Sequence, residues 1–452
     1  MGQKIEKLAQ FVAQTQWDDI PAPVRQHAKL VLLDTIGVIL AGSVRPEVAA
    51  LRERMAATAG PGATVYAPGA PTHDPRTAAL LNGIAGRAIE LCEGLRLASG
   101  QPAMQILPGI LAVGEHARAS GKDLLTALVL GYEAGARFGM AFTPRPLAHQ
   151  NGQAMLLAAA AAGARMRGLD AAGVSLAMRI SAVMMMTPSY TNTGAGATAL
   201  NVAGGMAGFA GAFAPDLAAA GFEAQADAIE EALGKMVGDG FNTEHLLDEL
   251  GTRWEITRNY FRLHACCNPI HPALDALHAA LAELKPRVED IARIEFATYH
   301  FASVMCNPQP PNYFASKYSL PHAAAVMVVR GDTCHRAIDD SALQDPVIAA
   351  LRARVSLVED TAMSALVPRL KPAKVILTLK DGRKTTHAVE SHQGDFNNPY
   401  DESVLREKFR DLAGDVLTAQ GIAEAERVID RCEQWAGVGE FSALLKRFTK
   451  AV

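Results

Sequence analysis

Aromatic residues are scarce in this chain of 452 positions, at 6%, and its six cysteines follow no framework spacing. The first shortage disfavours a β-rich core and points to helices packed through small residues. The second excludes a disulfide-stapled scaffold and leaves reduced thiols, as expected of a cytosolic protein. No run of lysine and arginine occurs and the net charge is -4, so nucleic acid is not an expected partner. The most apolar stretches are broken by charge or glycine before a membrane span is complete. Met1-Gly2-Gln3-Lys4-Ile5-Glu6-Lys7 lacks the apolar core of a secretory signal, so a cytoplasmic location is expected. GxGxxG, Walker A, GxSxG and HExxH patterns are missing, which removes support for nucleotide cofactors and the common hydrolases.

What is present is largely helix. Hydrophobic residues make up 49% and charged residues 20%, ordinary for a globular chain, and the length suggests two or three domains. Apolar spacing and punctuation predict helices over 24–41, 76–91, 107–119, 122–140, 149–167, 171–186 and 200–214, with loops over 94–101 and 187–196. The character changes near Arg258. Residues 291–299 alternate like a strand, and 374–380 with 383–389 form a hairpin around Asp381-Gly382. Helices return after 402. The expected fold is therefore mostly α: a large all-helical domain from both chain ends, 1–264 and 394–452, and a smaller α+β domain, 265–393.

The densest chemistry lies in Arg262-Leu263-His264-Ala265-Cys266-Cys267-Asn268-Pro269-Ile270-His271. Three readings compete. Adjacent Cys266 and Cys267 cannot easily place both sulfurs on one ion, and the spacing fits no zinc pattern, which argues against a metal. A buried turn with thiols as packing is the bland reading. The third is a site for an anionic substrate, with Arg262 as the cation and imidazoles as acid/base groups. In an extended segment Arg262 and His264 would point to the same side.

Other candidates are dispersed. Arg87, Glu90, Glu93 and Arg96 read either as a salt-bridged helix face or as a charged wall beside a glycine loop. His149 and His322 each open a predicted helix, where the dipole keeps an imidazole neutral and able to accept a proton. A polar cap is the plain alternative for both.

Several ordered segments resemble the MmgE/PrpD family of 2-methylcitrate dehydratase, cis-aconitate decarboxylase and iminodisuccinate epimerase type. They are Leu33-Asp34-Thr35-Ile36-Gly37 through Gly42, Leu107-Pro108-Gly109 through Glu115, Ser120-Gly121-Lys122-Asp123-Leu124-Leu125, Gly131-Tyr132-Glu133, Lys317-Tyr318-Ser319-Leu320-Pro321-His322, Gly394-Asp395 through Asn398-Pro399, and Lys408-Phe409. The resemblance implies a helical domain with an α+β lid, a homodimer, no required organic cofactor, and proton transfer next to a carboxylate of a small di- or tricarboxylate. It implies His149, His264 and His322 as candidate acid/base residues, and Arg262, Arg87, Glu90, Gln101 and Cys267 as candidate binding residues. Three departures accompany it. Gln101 stands where a histidine is typical, Leu200 near a typical lysine, and His322 where tyrosine is common; Arg262 also replaces a usual lysine. A lyase is the first reading, with an epimerase or a non-catalytic carboxylate binder as alternatives.

Overall fold

Small residues allow helices to meet at backbone distance, and this governs the larger part of the molecule. In the computed structural model, which describes residues 2–98 and 100–450, the first buried helix is α1, Ala22–Ser43. It is followed by α2, Pro75–Ala88, α3, Pro102–Ala117, α4, Gly121–Ala141, α5, Ala154–Met166, and α6, Val202–Ala219. Their starts are chemically marked. Asp74 accepts from the Arg76 N–H ahead of α2, and Ser120 with Asp123 forms a capping box ahead of α4. Glycines set the packing distance of α6: a Cβ on Gly83 would lie 2.7 Å from the Gly204 carbonyl, and one on Gly163 only 1.8 Å from that of Gly211. Any larger residue at either position must separate the helices. From the far end of the chain, α9, Glu402–Ala413, returns to α1, where Phe409 covers Gly37.

A second hydrophobic cluster gathers residues between 266 and 379. Two short strands, β1 (Phe142–Pro144) and β2 (Gly238–Phe241), pair antiparallel outside it. Its own sheet has the order β4-β3-β5-β6, formed by β3 (Ile291–Thr298), β4 (Val355–Glu359), β5 (Ala373–Leu379) and β6 (Lys384–Val389). β3 pairs parallel with β4 and antiparallel with β5. Helix α7, His271–Leu284, lies against β5 and β6, and α8, Leu320–Arg330, packs beside α7. The chain is thus mostly α with a smaller sheet-containing part.

Two helix starts shift, and one strand was not anticipated. α3 begins at Pro102 rather than near 107, because proline suits the first turn and the helix also accommodates Pro108. α5 begins at Ala154, which leaves His149 in the preceding loop. β4 had no clear alternation in the sequence. It is mostly exposed, so its faces are not chemically distinct. Among the described residues, no single helix is long and apolar enough to cross a membrane.

Candidate active site

The two parts meet where backbone bridges bind three loops together. Tyr260 pairs with Gly94 on one side and Asp395 on the other, and the Phe261 N–H donates to the Gly394 carbonyl. This grip fixes the start of the Arg262 segment. Beyond it the chain bends rather than extends: residues 263–266 are bends, and the Cys266 N–H donates to the His264 carbonyl at 2.8 Å. Arg262 and His264 are therefore directed to different partners, against the same-side expectation.

Arg262 is fully buried and donates to Glu90 Oε1 at 2.8 Å and to the Tyr260 hydroxyl at 3.2 Å. Glu90 lies past the end of α2 with a left-handed φ of 56°. A non-glycine residue pays about 1–2 kcal/mol for that conformation. Here it aims both carboxylate oxygens at once: Oε2 accepts from Arg87 and, at 3.0 Å, from the Tyr318 hydroxyl. Arg87 also donates to Tyr318 at 2.8 Å. Of the two readings of this stretch, the helix face carrying Arg87, Glu90 and Glu93 fails, since the helix stops at Ala88. Glu93 instead accepts from the Ala103 N–H at 2.8 Å, in the first turn of α3, and from the Tyr132 hydroxyl at 2.8 Å. Burial pushes its carboxyl up to about 7.

Three helix N-termini converge beside Arg87. A Cβ on Gly204 would touch Met104 of α3 and Arg87, one on Gly100 would meet Met155 of α5, and one on Gly152 would reach Ala203 of α6. The first turns of α3, α5 and α6 thus lie together, each with the partial positive charge of a helix start, although the Ala103 N–H is taken by Glu93 and α6 runs on from a 3-10 turn, Thr198–Asn201. Gln153 and Asn201, at 0% and 2% exposure, precede α5 and α6 with both amide heteroatoms lacking partners among the described residues. Gln101 Oε1, Asn151 Nδ2 and the Nε atoms of Arg87 and Arg262 are likewise buried and unpartnered. Buried polar groups are ordinarily hydrogen-bonded, so this set suits an oxygen-rich anion.

His149 stands at this place. Its Nδ1 accepts from the Asn151 N–H at 3.3 Å, its ring packs on Tyr190 at 4.6 Å, and Nε2 has no partner among the described residues. Burial, then the Arg87 charge, lowers it to about 3, so the imidazole is a free base at neutral pH. Cys267 is half-buried between the parts and packs against Leu200, Phe314 and Tyr318. Burial raises its thiol pKa, while Arg262 and Arg87 oppose that shift. Leu200, where the resemblance leads one to expect lysine, forms apolar wall.

The structure brings Arg87, Glu90, Gln101, His149, Arg262 and Cys267 into this region but not the other two histidines. His322 lies apart from this cluster: Ser319 caps α8 by accepting from the His322 N–H, Tyr318 faces Glu90, and His322 Nδ1 lies 3.4 Å from Arg352 inside the sheet-containing part, its Nε2 buried without a partner among the described residues. His264 is also engaged elsewhere. Its Nδ1 meets the Thr333 hydroxyl and its Nε2 meets Asp275 at 3.0 Å, so neither nitrogen is available. Tyr318, Gln153 and Asn201 were not singled out from sequence. Tyr318 sat inside a recognised motif; Gln153 and Asn201 carried no local signal. Among the described residues, no three of His, Cys, Asp and Glu gather as metal ligands. A surface depression of about 650 Å³ bounded by Arg330, Asp340 and Asp345 shares no residue with this site.

The sequence matches the MmgE/PrpD N-terminal domain over residues 6–241 and the MmgE/PrpD C-terminal domain over residues 264–434. It is 25% identical to the cis-aconitate decarboxylase-like protein oryM of Aspergillus oryzae, covering 98% of this chain and 97% of that protein. It is 24% identical to a cis-aconitate decarboxylase of Aspergillus terreus, covering 91% and 89%.

Proposed function

The chain belongs to the MmgE/PrpD family, and on that premise we propose that it is a lyase-type enzyme acting on a small di- or tricarboxylate by proton transfer next to a carboxylate. The observation that carries this reading is the pairing of a neutral, buried imidazole, His149, with a floor of three helix N-termini and two arginines. Arg87 and Arg262 exceed the charge of Glu90, so the floor is net cationic and receives carboxylates. His149 Nε2 then takes the proton from the carbon beside a bound carboxylate, and the charge that develops is spread over that carboxylate. Departure of hydroxide as water completes a C–O lyase step; in a C–C lyase step a carboxylate leaves as carbon dioxide and protons are returned to the substrate carbons that keep the electron pairs. Return of the proton to the other face would make the same site an epimerase.

The arrangement is read as a helical domain, 1–264 and 394–452, under an α+β lid, 265–393, with no organic cofactor and no metal, and in a cytoplasmic homodimer. The dimer reading has a surface to stand on: Val202, Met206, Phe209, Phe213 and Leu217 form a half-exposed apolar stripe on α6.

The test is incubation of pure protein with citrate, cis-aconitate, malate and succinate in D₂O, followed by NMR. Loss of the α-proton signal or formation of a new acid supports the reading. Protein that binds none of the four and exchanges no proton sinks it. Mass loss separates a lyase from an epimerase.

A further inference from the structure

Arginine stands at position 262 and leucine at position 200, where the resemblance leads one to expect lysine at the first and near the second. Arginine does not give up a proton in the working pH range, and leucine has none to give. With His264 and His322 directed elsewhere, His149 is left without an opposing proton carrier among the candidates.

Lys371 supplies one from a different part of the fold. It sits just before β5, and its backbone N–H is held by the Glu390 carbonyl at 3.1 Å. Pro372 follows, and its carbonyl accepts from Thr298 at 2.9 Å, so the stem is fixed on both sides. The half-buried side chain donates to Asn268 Oδ1 at 3.1 Å, one residue from Cys267. Asn268 is itself oriented by its Nδ2, 3.2 Å from His392 Nε2. The His392 ring packs edge-on against Tyr260, which receives Arg262. The amine therefore lies on the sheet-containing side of the same cluster.

Its pairing sets it apart. Lys29 meets Glu433 at 2.7 Å, Lys408 meets Asp34 at 2.6 Å, and Lys317 is held by the carbonyls of Ile89 and Ala265 at 3.1 Å each. Lys371 has one amide oxygen and, among the described residues, no carboxylate within ion-pair distance. The charged and titratable groups around it are Arg96, Cys267, Asp395, Arg262 and His392, and Asp395 is engaged by Arg96 at 2.6 Å. An ammonium so placed is short of negative charge, which a substrate carboxylate would provide.

We propose that Lys371 is the second proton-transfer residue of this site, meeting the substrate from the lid while His149 meets it from the helical domain. The assignment rests on the functional reading above. In the forward step His149 takes the proton from carbon and becomes imidazolium, and the C–H electron pair passes to the substrate. The Lys371 ammonium gives its proton to the leaving hydroxyl, which departs as water; where carbon dioxide leaves instead, Lys371 protonates the carbon that keeps that bond's electron pair and the His149 imidazolium returns its own proton to the substrate. Lys371 ends as the amine, and exchange with solvent resets both groups. Burial, then the neighbouring Arg96, lowers the amine to about 8, within reach of this duty at neutral pH.

The test uses full-length protein carrying ¹³Cε-lysine, with citrate and cis-aconitate as probes. The Lys371 signal, identified by its loss in Lys371→Arg, should titrate near pH 8 and move when either acid is added. Lys371→Arg should keep the thermal shift given by the acids, because charge is retained. It should lose formation of the new acid by about 10²- to 10⁴-fold, the usual worth of a positioned acid or base, while exchange of the carbon proton by His149 persists. Formation of the new acid by the parent should fall as pH rises through 8, where the donor proton is lost. A Lys371 signal that titrates with the exposed lysines or ignores both acids overturns the assignment while parental exchange leaves the functional reading standing. So does an arginine variant that forms the new acid at the parental rate. A parent that exchanges no proton, although Lys371 responds to the acids, overturns the functional reading and the proton role together.

Discussion

Glu90 Oε1 lies 2.8 Å from a terminal nitrogen of Arg262, across 172 positions of sequence. Both side chains are almost wholly buried, and the contact joins the end of α2 to the segment leading into the sheet-containing part. The same carboxylate holds Arg87 and Tyr318, so one acidic group organises two guanidiniums and a phenol. Breaking a buried ion pair from one side leaves its partner uncompensated and costs about 3–5 kcal/mol. Glu90→Gln is therefore expected to destabilise the fold by that amount in urea unfolding, read from the midpoint at unchanged slope. A variant as stable as the parent would show that solvent already screens the pair.

Arg262→Lys keeps the charge but loses the planar fork. The expected result is weaker binding of citrate and cis-aconitate with some proton exchange retained. Thermal shift and D₂O exchange measured together check it. Abolished exchange at unchanged binding would assign Arg262 a role in the chemical step instead.

His149→Gln preserves a polar side chain of similar reach and removes the base. Ligand-induced stabilisation should persist, while exchange falls by about 10²- to 10⁴-fold. His149 is lowered to about 3 in the fold, so its protonation should not shape the activity profile above pH 5. A parental profile with an inflection near 6.5 that vanishes in the glutamine variant would contradict the neutral, buried placement.

The general plan was legible in sequence because it rests on local signals. Alanine-rich periodicity marks α5, and the Asp381-Gly382 turn between alternating runs marks the β5-β6 hairpin. The site was legible only in part. Arg262, Glu90 and His149 stand out as charge or imidazole in apolar surroundings. His264 and His322 stand out equally, yet the bend after Arg262 and the Ser319 cap direct them to Asp275 and Arg352. Side-chain direction at a chain reversal depends on tertiary hydrogen bonds and leaves no periodic trace. Gln153 and Lys371 are ordinary loop residues, and Asn201 the end of a 3-10 turn, until three helix ends and a hairpin bring them together.

The stripe Val202, Met206, Phe209, Phe213 and Leu217 recurs at helical spacing on α6, and the Phe209 and Phe213 rings pack at 5.5 Å. Half-exposed apolar side chains in such a row are suited to a second copy of the chain. Light scattering at micromolar concentration should give twice the chain mass, and Phe209→Glu should reduce it to one. A parent that is monomeric, or a glutamate variant that remains dimeric, would place the interface elsewhere or remove it.

The last expected outcome concerns pH and Glu93. Its carboxyl is buried beneath the first turn of α3, and burial raises it from 4.5 to about 7 in the fold. Between those values the folded state binds a proton that the unfolded chain has released. The group's stabilisation is therefore full below 4.5, falls as pH rises to 7, and is lost above it. Glu133, buried beside Arg137, shifts in the same direction to about 7. His149 and His322 oppose this, since both are lowered to about 3 and lose stability as pH falls from 6.5. A comparison of variants cancels these background groups. Glutamine imitates the protonated carboxyl, able to accept from the Ala103 N–H and donate to Tyr132, so Glu93→Gln should gain on the parent between pH 5 and pH 8. The gain should be on the order of 1–3 kcal/mol, the linkage value of such a shift. Urea midpoints for both proteins at the two pH values measure it. Parallel stability curves would mean that Glu93 is already ionised at pH 5, with its charge carried by the Ala103 N–H, Tyr132 and Asn259.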